Sequence, residues 1–409
     1  MANNDLAYTV FERQQRDRGI DLDRVKERIK GFTVETPSWG YADSGTRFKV
    51  FQQVGVPRDP FEKIEDAAQV HRLTGACPNV ALHIPWDRVD DYDRLRRHAA
   101  ELGLGIGAIN PNLFQDADYR FGSVCNSDPA IRRKATGHII ECIEIARAVG
   151  STDLNLWFAD GTNYPGQASI RARKGWLREC LADVYAALNP GMRLLIEYKP
   201  FEPAFYHTDL ADWGMAYTLA TALGDAALVL VDSGHHAQGT NVEQIVAFLL
   251  DEGKLGGFHF NSRKYADDDL IAAAINPQEL FLIFAQIHDA LDETTDSGAR
   301  RTAERIAYMI DESHNIEPKI PAMIRSVLNV QSQWAKALLI NRDELREAQA
   351  TQDVLAAEAA VREAFECDVR PLLRALREEQ GLPDDPMTAY HASDYPERIR
   401  ARGIGGASW

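Results

Sequence analysis

Eight short apolar runs punctuate the first three quarters of the chain. They begin at Phe32 (FTVETPSWG), Asn79 (NVALHIP), Leu104 (LGIGAIN), Asp153 (DLNLWF), Arg193 (RLLIEYK), Ala227 (ALVLVDSG), Gly257 (GFHFN) and Ile306 (IAYMIDES). Continuous apolar runs of this length are the mark of strands buried on both faces. Between them, apolar residues recur every three or four positions, as in Asp87 to Leu102, Asp128 to Val149, Ala168 to Leu188, Val242 to Glu252 and Pro277 to Leu291. That spacing makes one face of an amphipathic helix. Strands alternating with helices predict a parallel sheet covered by helices. Eight such units predict an α/β fold of the (β/α)8 TIM barrel kind, with a doubly wound open sheet as the competing arrangement.

The pattern changes at both ends. Residues 1–31 read as an N-terminal helical segment and 32–320 as the barrel. Residues 321–409 read as a helical C-terminal arm, which packs on the barrel exterior or clasps a neighbouring subunit. The last stretch, SDYPERIRARGIGGASW, has no clear period and is expected to be loosely ordered. No internal repeat or low-complexity tract interrupts this order.

Composition narrows the function classes. The 409 residues are 45% hydrophobic and 26% charged, with a net charge of −16. No dense Lys/Arg run is present, which speaks against nucleic acid and against an anionic membrane surface. No apolar run approaches a membrane span, and the N-terminal residues lack the apolar core of a signal peptide. The five cysteines (Cys77, Cys125, Cys142, Cys180 and Cys367) are widely spaced with no CxxC, which argues against a disulfide framework and against a thiolate metal site. A cytoplasmic protein is expected.

Candidate chemistry collects where the strands end, the place from which barrels of this class draw their active-site groups. Those ends carry His83, Trp157, Glu197 with Lys199, Asp232 with His235, His259 with Asp267 and Asp269, and Asp311. Glu197 and Lys199 are two apart on a strand and share a face. Gly234, inside Asp232-Ser-Gly-His235, permits a tight turn that brings both ligand-type side chains together. Asp267 and Asp269 can face one ion while Asp268 points away. Glu197, Asp232, Asp267, Asp269 and Asp311 bring five negative charges and Lys199 one positive; two divalent cations would complete neutrality. Carboxylates with imidazoles suit Mn²⁺, Mg²⁺ or Co²⁺. Each piece also has a plain reading. An Asp-Asp-Asp run can be a solvated loop, Glu-x-Lys an ion pair, His83 a hydrogen-bonded rim residue, and Trp39, Trp86 and Trp157 packing groups. The loop DGTNYPGQ from Asp160 is either a substrate lid or an ordinary connection. GxGxG in GLGIGAIN reads as strand, not as a dinucleotide loop.

The motifs LHIPWD (from Leu82), DGTNYPGQ, EYKPFEPAFY (from Glu197), VDSGHH (from Val231), GFHFNSRKYADDDL (from Gly257) and MIDESHN (from Met309) resemble the L-rhamnose isomerase branch of the xylose isomerase-like superfamily, in family order and over most of the chain. The resemblance is greatest to its broad-specificity bacterial form. It implies an aldose–ketose isomerase that interconverts L-rhamnose and L-rhamnulose, with two divalent cations, usually Mn²⁺. Glu197, Asp232, His259 and Asp311 match ligands of the structural metal, with Asp232 bridging. His235, Asp267 and Asp269 match ligands of the catalytic metal. Lys199 matches the lysine beside the sugar O1, and His83 the histidine near the ring oxygen. Trp86 and Trp157 match pocket walls, and Phe61 a phenylalanine lent by a neighbouring subunit of a homotetramer. Ser262-Arg263 stands where Asp-Ser is expected, Ala266 where Gly is, and Tyr198 where His is, departures that bear on which sugar is preferred. The expected mechanism is a metal-assisted hydride shift. In it Lys199 steadies charge on O1, Asp267 or Asp311 stands by the water that moves the hydroxyl proton, and His83 assists ring opening. Proton transfer through an enediol is the rival route, and a single-metal ketose 3-epimerase is the alternative activity.

Overall fold

The architecture is that of a computed structural model, which describes residues 2–43, 50–200, 205–264, 269–295 and 297–406. Eight strands form one sheet in sequence order: β1 (Thr36–Pro37), β2 (Asn79–Ile84), β3 (Gly105–Pro111), β4 (Asp153–Leu156), β5 (Arg193–Glu197), β6 (Ala227–Asp232), β7 (Leu255–Phe260) and β8 (Ala307–Ile310). Every neighbouring pair is parallel. The sheet closes on itself. Glu35 N–H donates to the Tyr308 carbonyl at 2.8 Å, and Ile310 N–H donates to the Glu35 carbonyl at 2.9 Å. Closure makes this a (β/α)8 barrel and excludes the open doubly wound sheet. The eight apolar runs are its eight strands.

The helices begin where local chemistry dictates. Asp59, Asp91, Asp128, Ser169, Asp212, Asn241 and Asn276 each accept a backbone N–H from the first turn of the helix that follows. Such caps satisfy donors that have no partner within the helix. They open α3 (Pro60–Thr74), α4 (Tyr92–Glu101), α5 (Pro129–Val149), α6 (Ile170–Ala187), α7 (Trp213–Leu223), α8 (Val242–Asp251) and α9 (Pro277–Leu291). Pro60, Pro129 and Pro277 take the first helical position, where no N–H is needed.

Two helices, α1 (Ala2–Asp17) and α2 (Leu22–Lys30), precede the barrel. The last barrel helix pair is α10 (Gly298–Ala303) before β8 and α11 (Lys319–Ala337) after it. Trp334 of α11 stacks on Phe32 with ring centroids 4.4 Å apart and meets Tyr308 of β8 edge-on at 5.7 Å, which packs this helix against the sheet. Beyond it run α12 (Arg342–Thr351), α13 (Val354–Glu366), α14 (Arg370–Glu379), α15 (Pro386–Ala392) and α16 (Tyr395–Arg400). The expectation of a loosely ordered tail fails as far as Arg402, and residues 407–409 lie outside the described residues. Tyr395 Oη donates to Asp66 at 2.6 Å, and Arg402 Nη1 donates to the same carboxylate at 2.9 Å. The tail is fastened to α3 by tertiary contacts that its own periodicity does not announce. Among the described residues, no helix is long and apolar enough to cross a membrane, and all five cysteines are free thiols.

The barrel interior is layered. Trp39, Ala81, Ala108 and Met309 form a small apolar cluster. Two residues further along β2 and β8 stand His83 and Asp311, and Glu197, Asp232 and His259 lie at or next to the C-terminal ends of β5, β6 and β7. Apolar filling therefore gives way to ligand-type side chains at the C-terminal mouth.

Candidate metal centre

Strand register brings the ligands together. Asp232 pairs with His259 across β6 and β7, and His259 with Met309 across β7 and β8, two residues before Asp311. Glu197 closes β5. One ligand atom from each of Glu197, Asp232, His259 and Asp311 lies within 4.8 Å of the others. His259 Nδ1 stands 3.2 Å from Glu197 Oε2, 3.3 Å from Asp311 Oδ2 and 3.9 Å from Asp232 Oδ2. Glu197, Asp232 and His259 are buried, and Asp311 is half-buried.

Despite these short distances, the buried His259 Nδ1 makes no hydrogen bond. Its ring nitrogen and the carboxylate oxygens crowd into one small volume. Three carboxylates and one imidazole converging in this way fit a hard to borderline divalent cation. Without a cation the group compensates internally. Burial works against charge on the imidazole, but Glu197 and Asp311 outweigh it and raise its pKa to about 10. Burial would raise the Glu197 carboxyl; His259 and His235 outweigh it and hold it below the usual carboxylate range.

His235 borders the cluster, with Nδ1 3.1 Å from Glu197 Oε1 and 3.0 Å from the Tyr198 carbonyl, and Nε2 3.9 Å from Asp232 Oδ2. Asp232 is oriented from behind: Oδ1 accepts Gly234 N–H at 2.6 Å and the Asn261 amide at 3.0 Å. Gly234 serves close approach rather than a left-handed turn, because a Cβ there would collide with Asn261 Oδ1. Asp269 lies on the loop after β7, half-buried, in the left-handed region at φ 45°. That loop is tied back by Ser262 N–H to the Leu270 carbonyl at 2.8 Å and by the reciprocal bond at 3.1 Å. Asp267 and Ala266 lie outside the described residues.

The mouth beside the cluster is aromatic. His83 stacks on Trp86 with centroids 3.7 Å apart, and Phe114 meets Trp157 edge-on at 5.0 Å. Lys199 Nζ stands 4.8 Å from the Trp157 ring. Burial, helped by the Lys63 charge, holds the His83 pKa well below its usual value, so its imidazole is neutral. His83 Nδ1 and Trp157 Nε1 are buried without hydrogen-bond partners. Phe61 is elsewhere. It stands on the first turn of α3, edge-on to His98 at 5.4 Å and under the Arg94 guanidinium at 5.0 Å.

Several contributors are not singled out by sequence. Trp39, read as packing, donates from Nε1 to Asp311 Oδ1 at 2.9 Å. Its position at the end of β1 was the available signal. Asn155 and Asn261 touch ligands, and Asn155 sits two residues before Trp157 on the same inward face. The departures are partly explained by direction. Tyr198 points away from the mouth, and its hydroxyl meets His236 Nε2 at 2.6 Å. Arg263 Nη2 reaches Glu279 at 3.3 Å.

A second group, Cys125, Asp160 and Asp209, has the right atoms for a metal but is satisfied otherwise. Asp160 accepts Ser123 N–H, Ser123 Oγ and Cys125 N–H at 2.8, 2.8 and 2.7 Å. Arg173 grips Asp209 through Nε at 2.9 Å and Nη2 at 2.7 Å. The base of the DGTNYPGQ loop is thus a structural knot, extended by pairing of Gly161–Thr162 with His207–Thr208.

With this geometry in view, sequence comparison is decisive. Residues 73–313 match the family model described as xylose isomerase-like TIM barrel. This chain belongs to that family. It is 44% identical over 390 residues to a probable sugar isomerase of Rhizobium meliloti (strain 1021), covering 94% of this chain and 89% of that one. It is 43% identical, with the same coverage, to a probable sugar isomerase of Mesorhizobium japonicum. Xylose isomerase of Thermus thermophilus is 25% identical over 270 residues, 60% of this chain and 68% of that one. Among solved structures, an L-ribulose 3-epimerase shares the fold with TM-score 0.51 at 16% identity, over 82% of this chain and 97% of that one. The chain thus carries the barrel of this family, and its buried Glu/Asp/His cluster is consistent with one or two divalent cations.

Proposed function

We propose that this enzyme is a metal-dependent aldose–ketose isomerase that interconverts L-rhamnose and L-rhamnulose and accepts other aldoses. The observation that carries the proposal is the convergence of Glu197, Asp232, His259 and Asp311 at the mouth of a barrel 44% identical to a probable sugar isomerase. Glu197, Asp232, His259 and Asp311 would hold one cation, and Asp232, His235, Asp267 and Asp269 a second, with Mn²⁺ the first choice for both. Bound cations supply Lewis acidity to the substrate oxygens and lower the pKa of a water.

The chain's own groups do the rest. Lys199, held over Trp157, stabilises negative charge growing on O1. His83, whose charged form burial disfavours, would assist ring opening as a neutral hydrogen-bonding partner of the sugar. Asp267 or Asp311 stands by the water that moves the hydroxyl proton; Trp39 holds Asp311 by its Oδ1. His83, Trp86 and Trp157 wall the pocket, and Phe61 serves a neighbouring copy in a cytoplasmic homotetramer. Residues 1–31, 32–320 and 321–409 act as leading helices, catalytic barrel and assembly arm.

The test is ketose formation from a panel of aldoses, with metal-stripped protein, added Mn²⁺ and an EDTA control. Manganese-dependent L-rhamnulose supports the proposal, and a metal-loaded protein that makes no ketose overturns it. Deuterium placed at C2 of the aldose is retained in a hydride shift and lost to solvent through an enediol. A single-cation 3-epimerase remains the second reading, because the group of Glu197, Asp232, His259 and Asp311 is by itself sufficient for one ion. Two ions per chain by elemental analysis would argue against it.

A further inference from the structure

Asn155 lies on β4 inside the barrel, buried, with Nδ2 3.1 Å from His259 Nε2. Its Oδ1 is buried without a hydrogen-bond partner. The opposite ring atom, His259 Nδ1, faces Glu197 at 3.2 Å and Asp311 at 3.3 Å. An imidazole that offers its Nδ1 lone pair to a cation keeps its proton on Nε2. Nε2 is then a donor and needs an acceptor, but the Nδ2 amide hydrogens offer none. Turning the amide over resolves both conflicts. Oδ1 comes to Nε2–H, gains the hydrogen bond it lacks, and leaves the side-chain shape unchanged, since amide oxygen and nitrogen are nearly isosteric.

We propose that Asn155 is a positioning residue that fixes His259 in its Nε2–H form, so that Nδ1 faces the cation. The inference rests on the metal-centre reading. It assigns to β4 a part in a site whose ligands come from β5 to β8.

The experiment compares wild type, Asn155→Asp and Asn155→Leu as full-length protein, stripped by chelator and titrated with Mn²⁺ by calorimetry. Aspartate offers only acceptors to Nε2–H, and leucine offers none. Asn155→Leu is expected to weaken Mn²⁺ binding about 10- to 100-fold. Asn155→Asp is expected to bind at least as tightly as wild type. Loss of a merely structural contact would not be rescued by aspartate. The visible spectrum of the Co²⁺-loaded proteins gives a second readout, wild-type-like in Asn155→Asp and altered in Asn155→Leu. Should the leucine variant fail to fold, the aspartate variant still decides, since Mn²⁺ binding weakened tenfold there overturns the proposal. So does a folded leucine variant with wild-type affinity. A wild-type protein that takes up no cation overturns the metal-centre reading and this inference together; normal wild-type uptake with no difference among variants overturns this inference alone.

Discussion

Glu35 shows how one residue sets a pH dependence. Its carboxylate reaches from beside β1 to β3, where Oε2 accepts Ala108 N–H at 3.0 Å and occupies the space a Cβ on residue 107 would need. Glycine at 107 is required for that close approach. Burial pushes the Glu35 pKa up to about 7 from an ordinary value near 4.5, against the opposing Ala108 hydrogen bond. Between these values the native state holds a proton that the unfolded chain has lost. The contribution is therefore fully present below about 4.5 and is lost as pH rises through about 7. Glu35→Gln keeps an acceptor for Ala108 and carries no charge. It should stabilise the protein at pH 8 by on the order of 1–3 kcal/mol, and by much less at pH 5. Melting curves of both proteins from pH 5 to 8 check this, and a gain independent of pH would show that Glu35 is ionised throughout. Residues of this kind are hard to read from sequence. Glu35, Asn155 and Trp39 acquire their roles from neighbours 73, 104 and 272 positions away.

At the scale of elements, a buried knot joins β2 to its surroundings. Asp87 accepts His83 N–H at 2.7 Å, Lys63 Nζ of α3 at 2.6 Å, and the Ser38 hydroxyl from the turn after β1. Both partners of the Lys63–Asp87 pair are almost fully enclosed, at 2% and 0% side-chain exposure. Removing one charge of such a pair leaves the other buried and uncompensated. Lys63→Met should cost about 3–5 kcal/mol in urea unfolding at pH 7. It should also raise KM, because the strand exit that carries His83 loses its tether. A loss below about 1 kcal/mol would mean that water reaches Asp87. Elements were far more legible than this knot. Strands and helices follow from periodicity, and each helix start from α3 to α10 is marked by an adjacent Asp, Asn or Ser. The tail was misjudged because α16 is short and is held by Asp66, more than 300 residues earlier.

For the molecule as a whole, the mouth of the barrel gathers charge that a cation would balance. A ligand that binds only the native state adds stability in proportion to RT ln(1 + [L]/Kd), about 2.7 kcal/mol at a hundredfold excess over Kd. Chelation should thus lower the melting temperature by on the order of 5 °C. An unchanged curve after verified metal removal would mean that the carboxylates are balanced by other means, His259 first among them. What the sequence by itself determined is the repeating unit: hydrophobic periodicity and capping residues are local, so eight strands, their helices and the polar strand ends are written in consecutive residues. Only tertiary structure decided the rest. Closure through Glu35 and Met309, the register that sets Asp232 beside His259, and the orientation of ligands by Trp39, Asn155 and Asn261 are through-space relations. Chain order does not encode them directly, because a parallel barrel sets next to one another side chains that lie dozens to hundreds of residues apart.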